Sequence, residues 1–398
     1  MAGNSSRSWT ELSGETNWED MLDPLDEDLR MYLIHYGERV QAIGDAFNGQ
    51  TESEGYGLSL YPMDQLFSAV GLETANNPFR YEVTRYLYVP NFTPKLPLRS
   101  WIGYVAVSTD EGTKNLGRRD ILVAWRGTIE SIEAWLDIHD DLVAAPDIFN
   151  GDSEIRIHAG WNFLYKWINT LTPYTKLSVR DQVLREVRKQ VDLYASKGET
   201  ISITVAGHSL GAGMATINAL DIVTNGYNVP TDQPEKACLV TAFPFASPKV
   251  GDENFRAKFL SSKKLHALRV TNAVDIVPFL PPVRYYHVGE QLLVDSRKSP
   301  YLRPVTDGLA AAVGAGHMLE TYLHLIAGTQ GIDKDFDPNP PRSIALANKV
   351  MDALKEENKI PADWLVAKNK NMVQNEDDGS WSLAAAYIPP PPEDDQNE

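Results

Sequence analysis

The stretch Ile201–Gly213, ISITVAGHSLGAG, constrains this chain more than any other. β-Prone residues run into Gly207-His208-Ser209-Leu210-Gly211, a match to G-x-S-x-G, and the small residues Ala212-Gly213-Met214-Ala215-Thr216 continue as a helix. In that setting the pattern reads as a nucleophile elbow, a serine on a tight strand-to-helix turn whose flanking glycines let strand and helix approach closely. An ordinary glycine-bracketed turn is the simpler reading of the five residues alone. The strand before them and the helix after them favour the elbow.

Around this stretch the chain alternates strand and helix. Leu29, Ile34, Tyr36, Val40, Ile43 and Phe47 recur at helical intervals over about 27–47, with Asp26 placed to cap. Residues 48–100 are rich in Gly, Pro, Asn and Tyr without clear period and read as a covering region. Trp101–Ser108 and Ile121–Trp125 read as a hairpin-like strand pair across the charged turn Asp110–Asp120. Ser178 with Asp181 and Gln182 resembles a capping box for a helix running to Gly198, which feeds the strand Ile201–Ala206. Further strands are expected at Ala237–Phe245, Ala267–Thr271 and Tyr285–Val294, and one more amphipathic helix at Ile344–Leu354. The pattern implies an α/β fold with a mostly parallel central sheet flanked by helices. The organisation expected is one domain over 1–385, its first 100 residues or so covering the rest, and an acidic, Pro-rich flexible tail over 386–398.

A serine hydroxyl needs a base within hydrogen-bond reach and a third group to orient that base. In elbow-based hydrolases the partners follow the serine in the chain, acid first and histidine second. His35, His139, His158 and His208 precede Ser209, and His266 precedes the best acid, which leaves His287, His317 and His324. Asp275 lies just past the end of the strand HALRVT, where α/β enzymes assemble their sites; Asp252 and Asp295 are competing strand-end carboxylates. His317, on a small-residue loop before a helix-like run, is preferred as the base, with His324 as the alternative and His287 read as structural. An oxyanion hole needs two preorganised donors. The N–H of Leu210 is one candidate, and Thr128, at the end of ILVAWRGT, is the other, by its N–H and hydroxyl. After Thr128, Ile132, Trp135, Leu136, His139, Leu142 and Val143 repeat at helical spacing, which fits a mobile flap and a buried core helix equally.

Composition limits the partners. The 398 residues carry a formal charge of −17, which argues against nucleic acid and against electrostatic docking onto anionic lipid. The acidic clusters near both ends are read as solubilising. Cys238, the single cysteine, sits in an apolar run and is expected to be buried, so no disulfide framework can form within the chain. The opening residues lack an apolar core and an Arg-rich character, and the expectation is a cytoplasmic protein.

Together these segments resemble the class 3 lipase family, and within it the plant phospholipase A1 group of cytosolic members. The resemblance rests on Trp18-Glu19-Asp20-Met21-Leu22-Asp23-Pro24-Leu25-Asp26, VAWRGT, Ile157-His158-Ala159-Gly160-Trp161, VAGHSLGAG, TNAVDIVP, HMLETYLH and PADWLVAKNKNMVQNEDDGSW. It implies an α/β-hydrolase fold that hydrolyses the sn-1 acyl ester of glycerolipids without metal or organic cofactor. By it, Ser209, Asp275 and His317 take the triad positions, and Thr128 with Leu210 the oxyanion positions. The implied partners are a glycerolipid substrate and, transiently, a membrane or lipid-aggregate surface. One departure is Gly213, where the family pattern has alanine; its missing side chain is expected to widen the space behind the serine and so bear on chain-length preference. Two other readings share these residues: acyl transfer to an alcohol through the same acyl-enzyme, and a non-catalytic lipase-like signalling protein.

Overall fold

The computed structural model describes residues 7–75, 77–91, 98–128, 141–304, 314–377 and 379–392. Its centre is a seven-stranded sheet built from β1 (Tyr81–Val89), β2 (Ser100–Ser108), β3 (Arg119–Trp125), β6 (Ile201–His208), β7 (Leu239–Phe245), β8 (Leu265–Asn272) and β9 (Glu290–Val294), in the order β1-β2-β3-β6-β7-β8-β9. The first three strands pair antiparallel, and from β3 to β9 every pairing is parallel. Two small antiparallel pairs lie outside it: β4 (Leu142–Ala144) with β5 (Arg156–His158), and β10 (Met372–Gln374) with β11 (Trp381–Leu383).

Strands covered on both faces read as nearly continuous apolar runs, and all seven residues of β3 are buried, its opening Arg119 and Asp120 held by Glu199 and by the Tyr81 hydroxyl. Because side chains alternate across a strand, Ile121, Val123 and Trp125 enter one core while Leu122 and Ala124 enter the other. The first core receives Val183, Val187, Met214 and Ile217 from the helices Val179–Ser196 and Leu210–Thr224. The second receives Leu29, Leu33, Leu323 and Ile326 from the helices Glu27–Asp45 and Leu319–Gly328. Cys238 is buried and free. Among the described residues, no helix is long and apolar enough to cross a membrane, and no group of side chains could hold a metal ion.

The helix capped by Asp26 and the one capped by Ser178 stand where periodicity puts them. Gln182 does not complete a capping box. Its amide bonds the backbone N–H and carbonyl of Tyr88, at 3.0 and 2.9 Å, and so ties the helix to β1. β1 itself lies inside the region read as an aperiodic covering. It is an edge strand with irregular register at Val83/Arg85 and Leu87/Tyr88, and those irregularities erase the two-residue alternation that would have revealed it. The charged turn after β2 contains a short helix, Asp110–Leu116, capped by Thr109 and ended at Gly117 with φ 75°. The strand expected from Tyr285 begins only at Glu290.

The late helix expected over Ile344–Leu354 reduces to the 3-10 turn Ile344–Asn348. The Asn348 side chain accepts the N–H groups of Ala353 and Leu354, both at 2.8 Å, and so competes with the helical ladder that would have carried the chain onward. Of the flap residues, Ile132, Trp135, Leu136 and His139 lie outside the described residues, while Leu142 and Val143 are strand, in β4. The start of the expected free tail is docked: Pro389 is buried and its carbonyl accepts the Tyr174 hydroxyl at 2.6 Å.

Burial also sets how the fold responds to acid. It pushes His208 and His287 down to about 3 and His324 to about 4, and holds His35, stacked on Phe79, well below its ordinary value. An unfolded histidine titrates near 6.5, so between that value and the folded one the unfolded chain binds more protons. The stability contributed is therefore full above pH 6.5 and lost as pH falls, about 2 kcal/mol each for His208 and His324 by pH 5. Thermal melting across pH 7 to 5 should show a steep loss. His324→Gln, which can keep a hydrogen bond to Ser299, should melt with a shallower pH slope; an unchanged slope would place the acid sensitivity elsewhere.

Candidate active site

The elbow is built by close backbone approach. A Cβ on Gly207 would stand 2.2 Å from the Gly211 carbonyl oxygen, and one on Gly211 would stand 2.3 Å from the Arg126 carbonyl oxygen, so no other residue fits at either position. Between them Ser209 adopts φ 55° and ψ −121°, a conformation that costs a non-glycine residue on the order of 1–3 kcal/mol. Three backbone bonds hold it there: Ser209 N–H donates to Phe245 O of β7 at 3.0 Å, and Ser209 O accepts from Ala212 and Gly213. Ser209 thereby stands at the head of the helix Leu210–Thr224, where the macrodipole favours negative charge.

Ser209, His317 and Asp275 meet in one buried chain of hydrogen bonds. Ser209 Oγ lies 2.8 Å from His317 Nε2, and His317 Nδ1 lies 2.7 Å from Asp275 Oδ2. A carboxylate only accepts, so Nδ1 carries the proton and Nε2 is left as acceptor for the serine hydroxyl. Asp275 sits in a turn just past β8. Its Oδ1 accepts the Val277 N–H at 3.0 Å, and its Oδ2 accepts the Tyr322 hydroxyl at 2.6 Å as well as the imidazole. The competing carboxylates are committed elsewhere. Asp252 caps the helix Glu253–Ser261, and Asp295 pairs with Arg297. His324 bonds Ser299 at 2.8 Å, and His287 is not in a strand.

Trp125 pairs with Gly207, so Thr128 and Leu210 each lie three residues past a cross-strand pair on adjacent parallel strands. A Cβ on Gly127 would stand 3.3 Å from Ser209 Cβ, which brings the loop carrying Thr128 against the elbow. Leu210 is the first residue of the elbow helix, where an N–H has no partner within the helix. A cavity of about 390 Å³, lined by Ile34, Glu38, Phe79, Glu320 and Arg342, does not include Ser209.

Residues 122–285 match the family described as Lipase (class 3). Phospholipase A1-IIgamma of Arabidopsis thaliana is 45% identical, over 95% of this chain and 92% of that protein. Phospholipase A1-II 7 of Oryza sativa subsp. indica is 43% identical, over 96% of this chain and 97% of that protein. The chain belongs to the class 3 lipase family. This class 3 lipase has the α/β-hydrolase fold, with the mostly parallel sheet and flanking helices described above, and is a carboxylic ester hydrolase. Among solved structures, the native Rhizomucor miehei lipase propeptide complex is 17% identical with a TM-score of 0.46, covering 77% of this chain and 83% of that one.

Four side chains around the serine escaped the sequence reading or were set aside by it. His208 Nε2–H donates to the His317 carbonyl at 2.7 Å; burial, then the neighbouring His317, keeps it neutral near pH 7, and it pins the base's backbone to the elbow. Asn272 at the end of β8 donates to Gly316 O at 2.9 Å and fixes the residue before the base. Tyr322 accepts the Asn272 N–H at 3.1 Å and donates to Asp275, and burial beside that carboxylate holds its hydroxyl protonated. Trp161 donates Nε1–H to Leu210 O at 3.1 Å. Chain order eliminated His208 as a base, and it carries no signal for a tether. Only the place of Trp161 in a family segment singled it out.

Trp161 also overturns the reading of Gly213. The space is not widened, because the indole fills it: a Cβ on Gly213 would meet Trp161 Nε1 at 2.5 Å. In this class 3 lipase Gly213→Ala should therefore destabilise by about 1–3 kcal/mol through overpacking, against a helix-propensity gain of about 1 kcal/mol. In a Trp161→Leu background the same change should be neutral or stabilising. A double-mutant cycle by thermal melting checks it, and additive effects would show that the two residues do not share the space.

Proposed function

We propose that this class 3 lipase is a phospholipase A1-type lipid acylhydrolase that releases the sn-1 fatty acid of glycerolipids through a Ser209–His317–Asp275 triad. The observation that carries the reading is the continuous hydrogen-bond chain from Ser209 Oγ through both nitrogens of His317 to Asp275 Oδ2, at 2.8 and 2.7 Å. The names of the relatives, phospholipase A1, support the substrate class and the position of cleavage.

In this mechanism His317 Nε2 takes the Ser209 proton as Oγ attacks the ester carbonyl. The imidazolium that forms is stabilised by Asp275, itself fixed by Val277 N–H and Tyr322. The tetrahedral oxyanion develops at the head of the elbow helix, where Leu210 N–H and Thr128 are the proposed donors. His317 then returns the proton to the departing lysolipid alkoxide. The same base activates water to cleave the acyl-enzyme, releasing the fatty acid and restoring Ser209.

Phosphatidylcholine carrying different acids at its two positions tests this directly. Wild type should release the sn-1 acid, and Ser209→Ala should retain less than about one part in a thousand of that rate while keeping the fold. Release of the sn-2 acid would overturn the regiochemistry, and full activity in Ser209→Ala would overturn the nucleophile. Tyr322→Phe leaves Asp275 with one donor fewer. It should lower kcat about tenfold with little change in KM, since the lost bond steadies the imidazolium of the transition state rather than the bound lipid.

A further inference from the structure

The C-terminal segment absorbed by neither core ends in an uncovered ribbon. Among the described residues, Val366 is 70% exposed, Trp381 54% and Val373 48%, with Leu365 and Met372 exposed beside them. The pairing of β10 with β11 puts Met372 opposite Leu383 and Gln374 opposite Trp381, so Met372, Trp381 and Leu383 share one face while Val373 turns to the other. A two-stranded ribbon with apolar residues on both faces buries too little to be stable by itself. An apolar surface of this kind marks a place where something docks.

Its position indicates what docks. Gln50 donates to Lys370 O and accepts from Asn371 Nδ2, both at 3.1 Å, so the ribbon's base is tied to the loop that begins at Phe47. That loop hands on to the sheet through Gly57 O, which accepts Trp101 N–H at 2.8 Å, and through Phe47, whose ring lies 4.8 Å beneath the Arg126 guanidinium. Arg126 follows β3 at the carboxyl end of the parallel strands, beside the Gly127 that abuts Ser209. The ribbon therefore stands at the active-site end of the sheet, on the β2 side of the serine.

On the other side of the serine, at the same end, the chain leaving Asp275 forms a second exposed apolar lobe. Phe279 is 57% exposed and Val283 67%. β6, which carries the elbow, lies between β2 and β8 in the sheet order, so the two lobes flank Ser209. On a chain whose formal charge is −17, the loop carries Arg284, and the ribbon carries Lys368 and Lys370 at its base with the acidic Glu376 and Asp377 at its turn, so its apolar side chains and not its net charge suit it to a surface.

We propose that the ribbon around 365–383 and the loop around 279–284 are two apolar prongs that seat this protein on a zwitterionic phospholipid surface, with Ser209 facing that surface between them. This rests on the lipid acylhydrolase reading and names how the same site meets its substrate. A lipid surface is broad enough to engage both lobes at once and also holds the ester that Ser209 attacks. Tryptophan and the aliphatic side chains suit the boundary between headgroups and acyl chains, while lysine and arginine reach back to phosphate. The large negative charge of the whole protein disfavours a strongly anionic surface, so apolar insertion carries the binding and salt should affect it little.

Flotation with phosphatidylcholine vesicles, performed in the Ser209→Ala background so that the lipid is not consumed, tests the proposal. V366E/W381S on the ribbon and V283E on the loop should each weaken vesicle partitioning about tenfold or more. In the active protein the same changes should slow hydrolysis of vesicle phosphatidylcholine in parallel, with hydrolysis of a monomeric short-chain ester and the melting temperature unchanged. Unaltered partitioning in both variants overturns the docking surface and leaves the hydrolase reading standing. Prong-dependent partitioning without hydrolysis of either ester supports the docking surface and overturns the hydrolase reading. Two other results also overturn the proposal: a wild-type dimer that the ribbon substitutions dissociate without any effect on vesicles, which makes a second copy the occupant, and binding that requires phosphatidylserine and vanishes with salt.

Discussion

The contact on which the rest of this structure depends is the approach of three pieces of backbone at the elbow. The helix that leaves Ser209 lies against the end of β3 so closely that Gly211 touches the carbonyls of Trp125 and Arg126, and Gly207 touches Gly211. No side chain could enter without separating β6 from its helix. Glycine is thus a requirement of packing here, while Ser209, held at positive φ between the two glycines, carries the strain. The surrounding bonds overdetermine that conformation: one from β7 and two from the helix's first turn. A serine relaxed to ordinary β geometry would lose its position at the helix head and its reach to His317 together.

A second constraint acts on the base. His317 stands on a loop, and loops hold position poorly unless their backbone is bonded. Here the loop is tied on both sides of the imidazole: Gly316 O to Asn272, His317 O to His208, and the ring itself to Asp275. Two of these partners come from strand ends of the rigid sheet, and Tyr322, from the helix that follows the loop, bonds both Asp275 and the Asn272 backbone. The acid, the base and the tether are therefore positioned by one another as much as by the sheet. A neutral His208 is needed for this arrangement, because a second positive charge 4.9 Å from the His317 ring would oppose the imidazolium of the transition state.

How much of this could be read from the sequence follows from the range of each interaction. The elbow was legible because its requirements are local: glycine, serine and glycine at fixed spacing between a strand and a helix. Asp275 and His317 were legible as candidates because strand ends and chain order prune the choices, although only their meeting across 42 residues separates them from Asp295 and His324. The helix begun by Asp26 was legible from its period and cap. β1 was not, since its irregular register against β2 breaks the alternation on which strand recognition depends. The helix expected at Ile344–Leu354 failed for a comparable reason: periodicity sees the apolar positions but not the Asn348 side chain that captures two backbone donors. His208, Asn272, Tyr322 and Trp161 were invisible in their roles because each acts through an element distant in the chain.

Gly213 shows why an isolated departure from a family pattern is a poor guide to pocket shape. Removing a methyl group from the first turn of a buried helix leaves a void only if nothing moves into it, and interiors packed to crystalline density rarely leave such voids. Trp161 occupies the space and in doing so gains a hydrogen bond to the Leu210 carbonyl, one of the polar groups closest to the serine. The small residue and the large one form a complementary pair, and the indole becomes part of the wall behind the nucleophile. Where Trp161 stands depends in turn on the helix Ala159–Lys166 and its His158 cap, a segment the elbow motif does not include. The packing behind the nucleophile is in that sense written outside the residues that identify it.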